Sequence, residues 1–267
     1  MIRPVALVNG AESALERASL AITDGGVQRG DGAFEVIGIW DARLFRLDDH
    51  LERLDRSLAA IGLPPAPAEA LRADIACVMT GQTGDGAMRI FVTSTGSRVV
   101  SVTEPPIRVQ LRRLSSQPAP WIRPLGTYGP ASAKTMSYSP NMAASRAAER
   151  AGADDALLVS LEDLVLEGPT FAVMWVRDGR IFAPTLDLGL VDSISRRTVL
   201  ELATEVGIEY ETGRYRLDDV RHADEVMTSS AVRPLVPLEA VDNHVLPSVA
   251  PITTRLAAGL AARRRAA

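Results

Sequence analysis

The sequence predicts an α+β (mixed α/β) chain of two domains, on three observations. Short apolar runs joined by compact turn signals alternate with helix-period stretches along all 267 residues. Hairpins stand beside helices in both halves, a mixture unlike a doubly wound parallel sheet. One segment, Ser115 to Pro130, gathers four prolines and two glycines and reads as a linker. The expected organisation is an N-terminal α/β domain over residues 1–114, a linker over 115–130 and a C-terminal α/β domain over 131–267.

Each element has a local reason. Ala33 to Trp40 and Arg43 to Arg46 flank Asp41-Ala42, a two-residue turn signal, and read as a hairpin. Asp48 can cap a helix whose apolar residues Leu51, Leu54, Leu58 and Ile61 recur at 3, 4 and 3 positions. Gly62 and Pro64-Pro65 stop it. Pro67 to Met79 reads as a second helix, and Met88 to Thr93 and Ile107 to Leu111 as strands. Past the linker, Pro140 opens a helix to Arg150, closed by Gly152. Ala156 to Val159, Leu164 to Leu166, Phe171 to Val176 and Arg180 to Ala183 are short strands, the last two joined by Asp178-Gly179. Ser195 to Val206 is an amphipathic helix ending at Gly207, Glu225 to Ser229 a strand, and a terminal helix follows Pro251.

Composition excludes several classes. With 46% hydrophobic and 23% charged residues the chain is neither disordered nor a coiled coil. No apolar run approaches the roughly 18 residues of a membrane span, and Met1 to Gly10 lacks the pattern of a signal peptide. A net charge of −4 argues against a nucleic-acid surface. The single cysteine, Cys77, suits a reducing cytoplasm and, within Ile75 to Met79, reads as buried filler. His50, His222 and His244 lie far apart in sequence, so no metal site is expected. Arg263, Arg264 and Arg265 read as a solvated helix end.

The basic residues are the most informative. Of 29 Lys plus Arg only Lys134 is a lysine. Arginine can bind, pair and solvate as well as lysine, but it cannot lose its proton near neutral pH and attack a carbonyl carbon. Lys134 is therefore a candidate nucleophile, although the count alone leaves compositional drift equally open. Other residues suit an anionic cofactor bearing an aldehyde. Arg53 and His50 fall on one helix face, where a guanidinium could grip a phosphate, or simply be solvated. Asp192 to Arg196 opens a helix whose free N–H groups favour a phosphate, although an ordinary N-cap accounts for the serines equally well. Glu167 stands at a strand end and could hold a ring nitrogen protonated, or be a surface glutamate.

In this order and spacing the chain resembles the class IV (fold-type IV) aminotransferases, which use pyridoxal 5'-phosphate. Asp24 to Glu35 (DGGVQRGDGAFE) is similar to that family's DRGxxxGDGxFE signature, and Phe45 to Leu54 to its xxLxxHxxRL helix. Val165 to Gly168, followed by Val176 to Ile181, resembles its xEGxxxN…DGxLxTP run. Ser193-Ile194-Ser195-Arg196 stands where the family has GITR, and the resemblance spans roughly residues 20 to 240. It implies that Lys134 forms the Schiff base and acts as general base. It implies that Glu167 contacts the pyridine nitrogen, and that Arg53, Ile194, Ser195, Ser230 and Ala231 contact the phosphate. Tyr138 is a candidate partner for the ring hydroxyl. Gly25, Ser193 and Ala231 depart from the pattern, and Gly168 to Val173 lacks the family's asparagine. The family further implies a cofactor at the domain interface and a homodimer.

Substrate choice rests on fewer residues. Phe34 to Trp40 resembles the YEVVKVY of D-amino-acid transaminases more than the FEGIR of branched-chain enzymes. Arg89, on a strand, is a candidate for a substrate carboxylate or a plain surface arginine, and Phe34 is a candidate substrate contact. The expected function is transfer of an amino group between a D-amino acid and a 2-keto acid. The alternative is aminodeoxychorismate lyase, releasing pyruvate and 4-aminobenzoate; branched-chain and (R)-amine transaminases and a non-catalytic cofactor carrier stand behind it.

Overall fold

The computed structural model describes residues 1–105, 111–119 and 132–266, and its contacts divide the chain into two compact units. The first comprises Met1–Arg108, Gly126–Tyr138 and Arg264–Ala267. Its elements are β1 (Val5–Val8), β2 (Ala11–Ser13), α1 (Gly25–Arg29), β3 (Gly32–Trp40), β4 (Arg43–Leu44), α2 (Leu47–Ala60), α3 (Ala68–Met79), β5 (Gly86–Thr93) and β6 (Arg98–Thr103). The strands form one antiparallel sheet in the order β2-β1-β6-β5-β3-β4. One sheet face carries Ile37, Ile39, Met88, Ile90, Val100 and Val102, which pack against Leu54, Leu58, Leu71 and Ile75 of α2 and α3. The expected hairpin forms because Asp41 (φ 50°) and Ala42 (φ 62°) both take the left-handed conformation that matches the strand twist.

The second unit comprises Val109–Leu125 and Ser139–Arg263. It contains β7 (Arg113–Pro118), α4 (Ser139–Arg150), β8 (Asp155–Val159), β9 (Ala172–Arg177), β10 (Arg180–Pro184), α5 (Ile194–Glu205), β11 (Tyr210–Gly213) and α6 (Leu217–Arg221). After them come β12 (Glu225–Ser230), β13 (Arg233–Pro237), β14 (Ala240–Val241), β15 (His244–Val245) and α7 (Pro251–Ala266). Two mixed sheets result, β11-β10-β9-β12-β13 and β15-β14-β7-β8. Leu114, Leu157, Trp175 and Val226 share one core, while Val199, Leu202, Leu256 and Leu260 of α5 and α7 close another over Met174 and Met227.

Several expectations are corrected. Ser115 to Pro118 is not linker but strand β7, paired in parallel with β8, and the rest of the proline-rich segment lies almost wholly outside the described residues. Lys134 groups with the first unit rather than with the C-terminal half. The N-cap of α2 is Arg46 (φ 55°), and Asp48 lies inside the helix, paired with Arg72. Leu164 and Val165 make only isolated bridges, because their partners, Arg216 and Val159, lie on different segments. Most of the strand expected over Ile107 to Leu111 is outside the described residues. Cys77 is exposed, since its helical position is off the Leu71, Ile75 and Val78 stripe. The terminal arginines are not merely solvated: Arg264 is buried over the Trp40 ring (4.8 Å), Arg263 pairs with Glu201 and Glu205, and Arg265 pairs with Asp85.

Candidate active site

Strand period two places Glu35 on the same face as Ile37 and Ile39, so this carboxylate points into the core at 0% exposure. A buried charge survives only when paired. Helix α2 supplies the partners at 3-residue spacing. Arg53, 6% exposed, donates from Nε to Glu35 Oε1 (2.7 Å) and from Nη2 to Oε2 (2.6 Å). His50 Nδ1 stands 2.7 Å from Oε2. The carboxylate thus takes the Nε and Nη2 positions of the guanidinium fork.

Protonation follows from this packing. Burial alone pushes the Glu35 carboxyl up, but the Arg53 charge and the hydrogen bonds from Arg53 and His50 outweigh it and bring it down to about 2 from 4.5. Burial holds His50 below its ordinary 6.5 despite Glu35, so the neutral imidazole donates Nδ1–H to the carboxylate. Both shifts are downward, so both contribute stability that is complete above the unfolded value and lost as pH falls. The melting temperature should hold above pH 6.5, decline below it as unfolded His50 takes up protons, and steepen below 4.5 as Glu35 follows. His50→Gln should flatten the portion beginning at 6.5; a thermal-melt series superimposable on that of the parent protein excludes this account.

Lys134 enters the same unit by main-chain pairing. Phe34 N–H donates to Lys134 C=O (3.0 Å), Met136 N–H to Gly32 C=O (2.9 Å), and Ala33 bridges Thr135. Gly32 fits between β5 and this segment, since a Cβ there would stand 2.4 Å from Val92 C=O and 2.9 Å from Met136 Sδ. The half-buried Lys134 Nζ lies 4.3 Å from the Phe34 ring centre and 5.3 Å from that of Tyr138. Phe34 in turn stacks on Phe91 (5.8 Å) and meets Tyr138 edge-on (5.2 Å). Arg89 opposes Val36 across β3 and β5, on the sheet face of Phe34 and Phe91, half-buried, with Nη1 donating to Thr103 Oγ1 (3.1 Å). The Gly25 departure has a steric reason: a Cβ there would fall 2.2 Å from Ser94 Oγ.

The second unit carries its own set. Glu167 is buried, and its carboxylate accepts from Val191 N–H (3.3 Å to Oε2). Gly168 is required beside it, because an added Cβ would lie 2.1 Å from the buried Phe171 ring. The Gly168–Phe171 turn lacks an asparagine of its own and takes one from α4, Asn141 Nδ2 donating to Pro169 C=O (3.0 Å). Ser193 caps α5 by accepting from Arg196 N–H (3.2 Å), so Ile194 and Ser195, both buried, form the first turn, where N–H groups have no intrahelical acceptor. Ser230 ends β12 just past a register shift, with Ala231 half-buried after it.

The structure therefore joins Lys134 with Phe34 and Tyr138, and Arg53 with His50. Arg89 is on their sheet but bonds Thr103. Sequence reasoning missed Glu35, Phe91 and Val191. Glu35 could have been noticed as a carboxylate at an inward position of an apolar strand; Val191 acts through its backbone and leaves no sequence signal. His222 and His244 come together (ring centres 5.6 Å apart), but among the described residues no group of three or more metal-ligating side chains exists. Among those residues, too, no helix is long and apolar enough to cross a membrane.

The family model described as amino-transferase class IV matches residues 32–241. A D-alanine aminotransferase of Bacillus licheniformis is 29% identical over 92% of this chain and 91% of its own. An aminodeoxychorismate lyase of Bacillus subtilis is 26% identical over 88% and 86%. A fold IV transaminase from Curtobacterium pusillum superposes with a TM-score of 0.89 at 29% identity, covering 97% and 99% of the two chains. A hypothetical aminotransferase from Mycobacterium tuberculosis in its PLP-bound form gives 0.89 at 25% identity, covering 98% and 99%.

Proposed function

Because the chain belongs to the class IV amino-transferase family, we infer that it moves an amino group from a D-amino acid to a 2-keto acid. It is a pyridoxal 5'-phosphate-dependent aminotransferase. The residues present fit that cofactor: a lysine amine for the aldehyde, a buried guanidinium and a helix N-terminus for the phosphate, and a buried carboxylate for a cationic ring nitrogen. When bound, pyridoxal phosphate supplies an electrophilic carbon and an electron-withdrawing ring. Lys134 Nζ would hold the cofactor's aldehyde carbon and, as general base, would take up the substrate's α-proton and return it. Arg53, the first-turn N–H groups of Ile194 and Ser195, and the Ser230–Ala231 segment would hold the phosphate. Glu167 keeps the ring nitrogen protonated, Tyr138 bonds the ring hydroxyl, and Phe34 and Arg89 contact the substrate.

One observation carries the reading: the sole lysine of the chain sits with its amine 4.3 Å over Phe34. The D-amino-acid preference is supported by the Phe34 to Trp40 run and by the resemblance to the Bacillus licheniformis aminotransferase. The similar Bacillus subtilis lyase favours the second reading, elimination of pyruvate from aminodeoxychorismate by the same lysine. Incubation with D-alanine and 2-oxoglutarate should yield pyruvate and glutamate. No transfer, together with 4-aminobenzoate release from aminodeoxychorismate, overturns the first reading in favour of the second. The reading extends to a homodimer, which family resemblance supports, and to the cytoplasm, whose reducing conditions suit a single cysteine.

A further inference from the structure

Ser57 is 1% exposed and lies one helical turn beyond Arg53 on α2. Its hydroxyl donates to Arg53 C=O (2.8 Å), the back-bond to i−4 that serine makes inside helices. With its only hydrogen so used, Oγ can act toward other groups only as an acceptor, and it accepts Lys134 N–H at 3.0 Å. The Lys134 carbonyl is held on the opposite side by Phe34 N–H (3.0 Å). The lysine main chain is thereby fixed between strand β3 and helix α2. The preceding turn of α2 carries Arg53, which Glu35 locks in place.

We propose that Ser57 is a positioning residue, its hydroxyl clamping the Lys134 main chain to the helix that carries Arg53 and so fixing where the Lys134 amine stands. A long, flexible side chain is aimed mainly by its anchor point, so a small shift of the Lys134 backbone is carried to Nζ. Proton transfer is steep in such displacements: a misplacement of about 1 Å costs on the order of a hundredfold in rate. Binding of the amino donor, by contrast, draws on groups that Ser57 does not touch.

The proposal rests on Lys134 being the reacting amine, and its test separates the two. Amide exchange in the holoenzyme, followed by mass spectrometry, reads the clamp without reference to turnover. Ser57→Ala should speed exchange at Lys134 at least about tenfold, while peptides from β12 exchange as before. It should lower kcat by roughly ten- to a hundredfold, with KM for the amino donor changing less than about twofold. Ser57→Thr, which keeps a hydroxyl, should restore slow exchange and most of kcat. Unchanged exchange at Lys134 in a folded Ser57→Ala overturns the clamp even if Lys134 proves essential. Faster exchange with full kcat, or a loss that Ser57→Thr leaves unrepaired, overturns the positioning role. Should Ser57→Ala not fold, Ser57→Cys keeps the volume with a weaker acceptor and is held to the same outcomes. Retained turnover in Lys134→Arg overturns the functional reading instead and leaves the exchange result intact.

Discussion

Lys134→Arg should abolish transamination, with turnover at least about 10⁴-fold below that of the parent enzyme. Arginine preserves the positive charge and much of the length, so the segment that pairs with β3 is expected to stay in place. What it lacks is a neutral form near physiological pH. It can neither hold the cofactor covalently nor shuttle the α-proton. Two measurements check this together: single-turnover formation of pyruvate from D-alanine, and the visible absorbance of bound cofactor that borohydride bleaches. Both should vanish in Lys134→Arg while the circular dichroism spectrum is unchanged. Turnover retained in the variant would falsify the role of Lys134.

The largest effect on stability is expected at Arg53. Arg53→Met removes the cation that compensates Glu35 at 0% exposure and leaves a carboxylate in the core with only neutral His50 beside it. Breaking a buried pair in this way costs about 3–5 kcal/mol. The second substitution Glu35→Gln removes the stranded charge while keeping an acceptor for His50, so the double variant should regain most of the loss. It should not regain cofactor retention, because Arg53 is also the proposed phosphate ligand. Urea denaturation of the two variants, each followed by dialysis against limiting pyridoxal phosphate, distinguishes the roles. Equal instability of the single and double variants would show that the electrostatic pairing is not what holds this part of the core.

Some of this was legible from residue order. The Asp41-Ala42 and Asp178-Gly179 turns read correctly because their conformations depend on neighbours alone; all four residues have positive φ. Helices α2, α3, α4 and α5 matched their periodicity to within a residue or two, because the stripe that packs is the stripe that repeats. Less legible were strands whose pairing is distant. Strand β1 pairs with β6, whose residues lie some ninety positions away, and β7 was hidden by prolines because its partner β8 follows an entire helix. Cys77 illustrates the same limit at one residue: an apolar run says that something is buried, but the phase of the helix decides which side chain is not.

The sequence by itself determined the chemistry available to this protein. One lysine among 29 basic residues, a glutamate before a glycine, and serines at a helix start follow from composition and local order. Only the tertiary structure decided how these groups are held. Glu35 becomes an ion-pair anchor because β3 turns it inward beneath α2, and that inversion costs too much unless Arg53 and His50 arrive from 18 and 15 residues away. Ser57 meets Lys134 across 77 residues for a similar reason. A buried charge or hydroxyl must find its partner in space, and no local pattern records where that partner will come from.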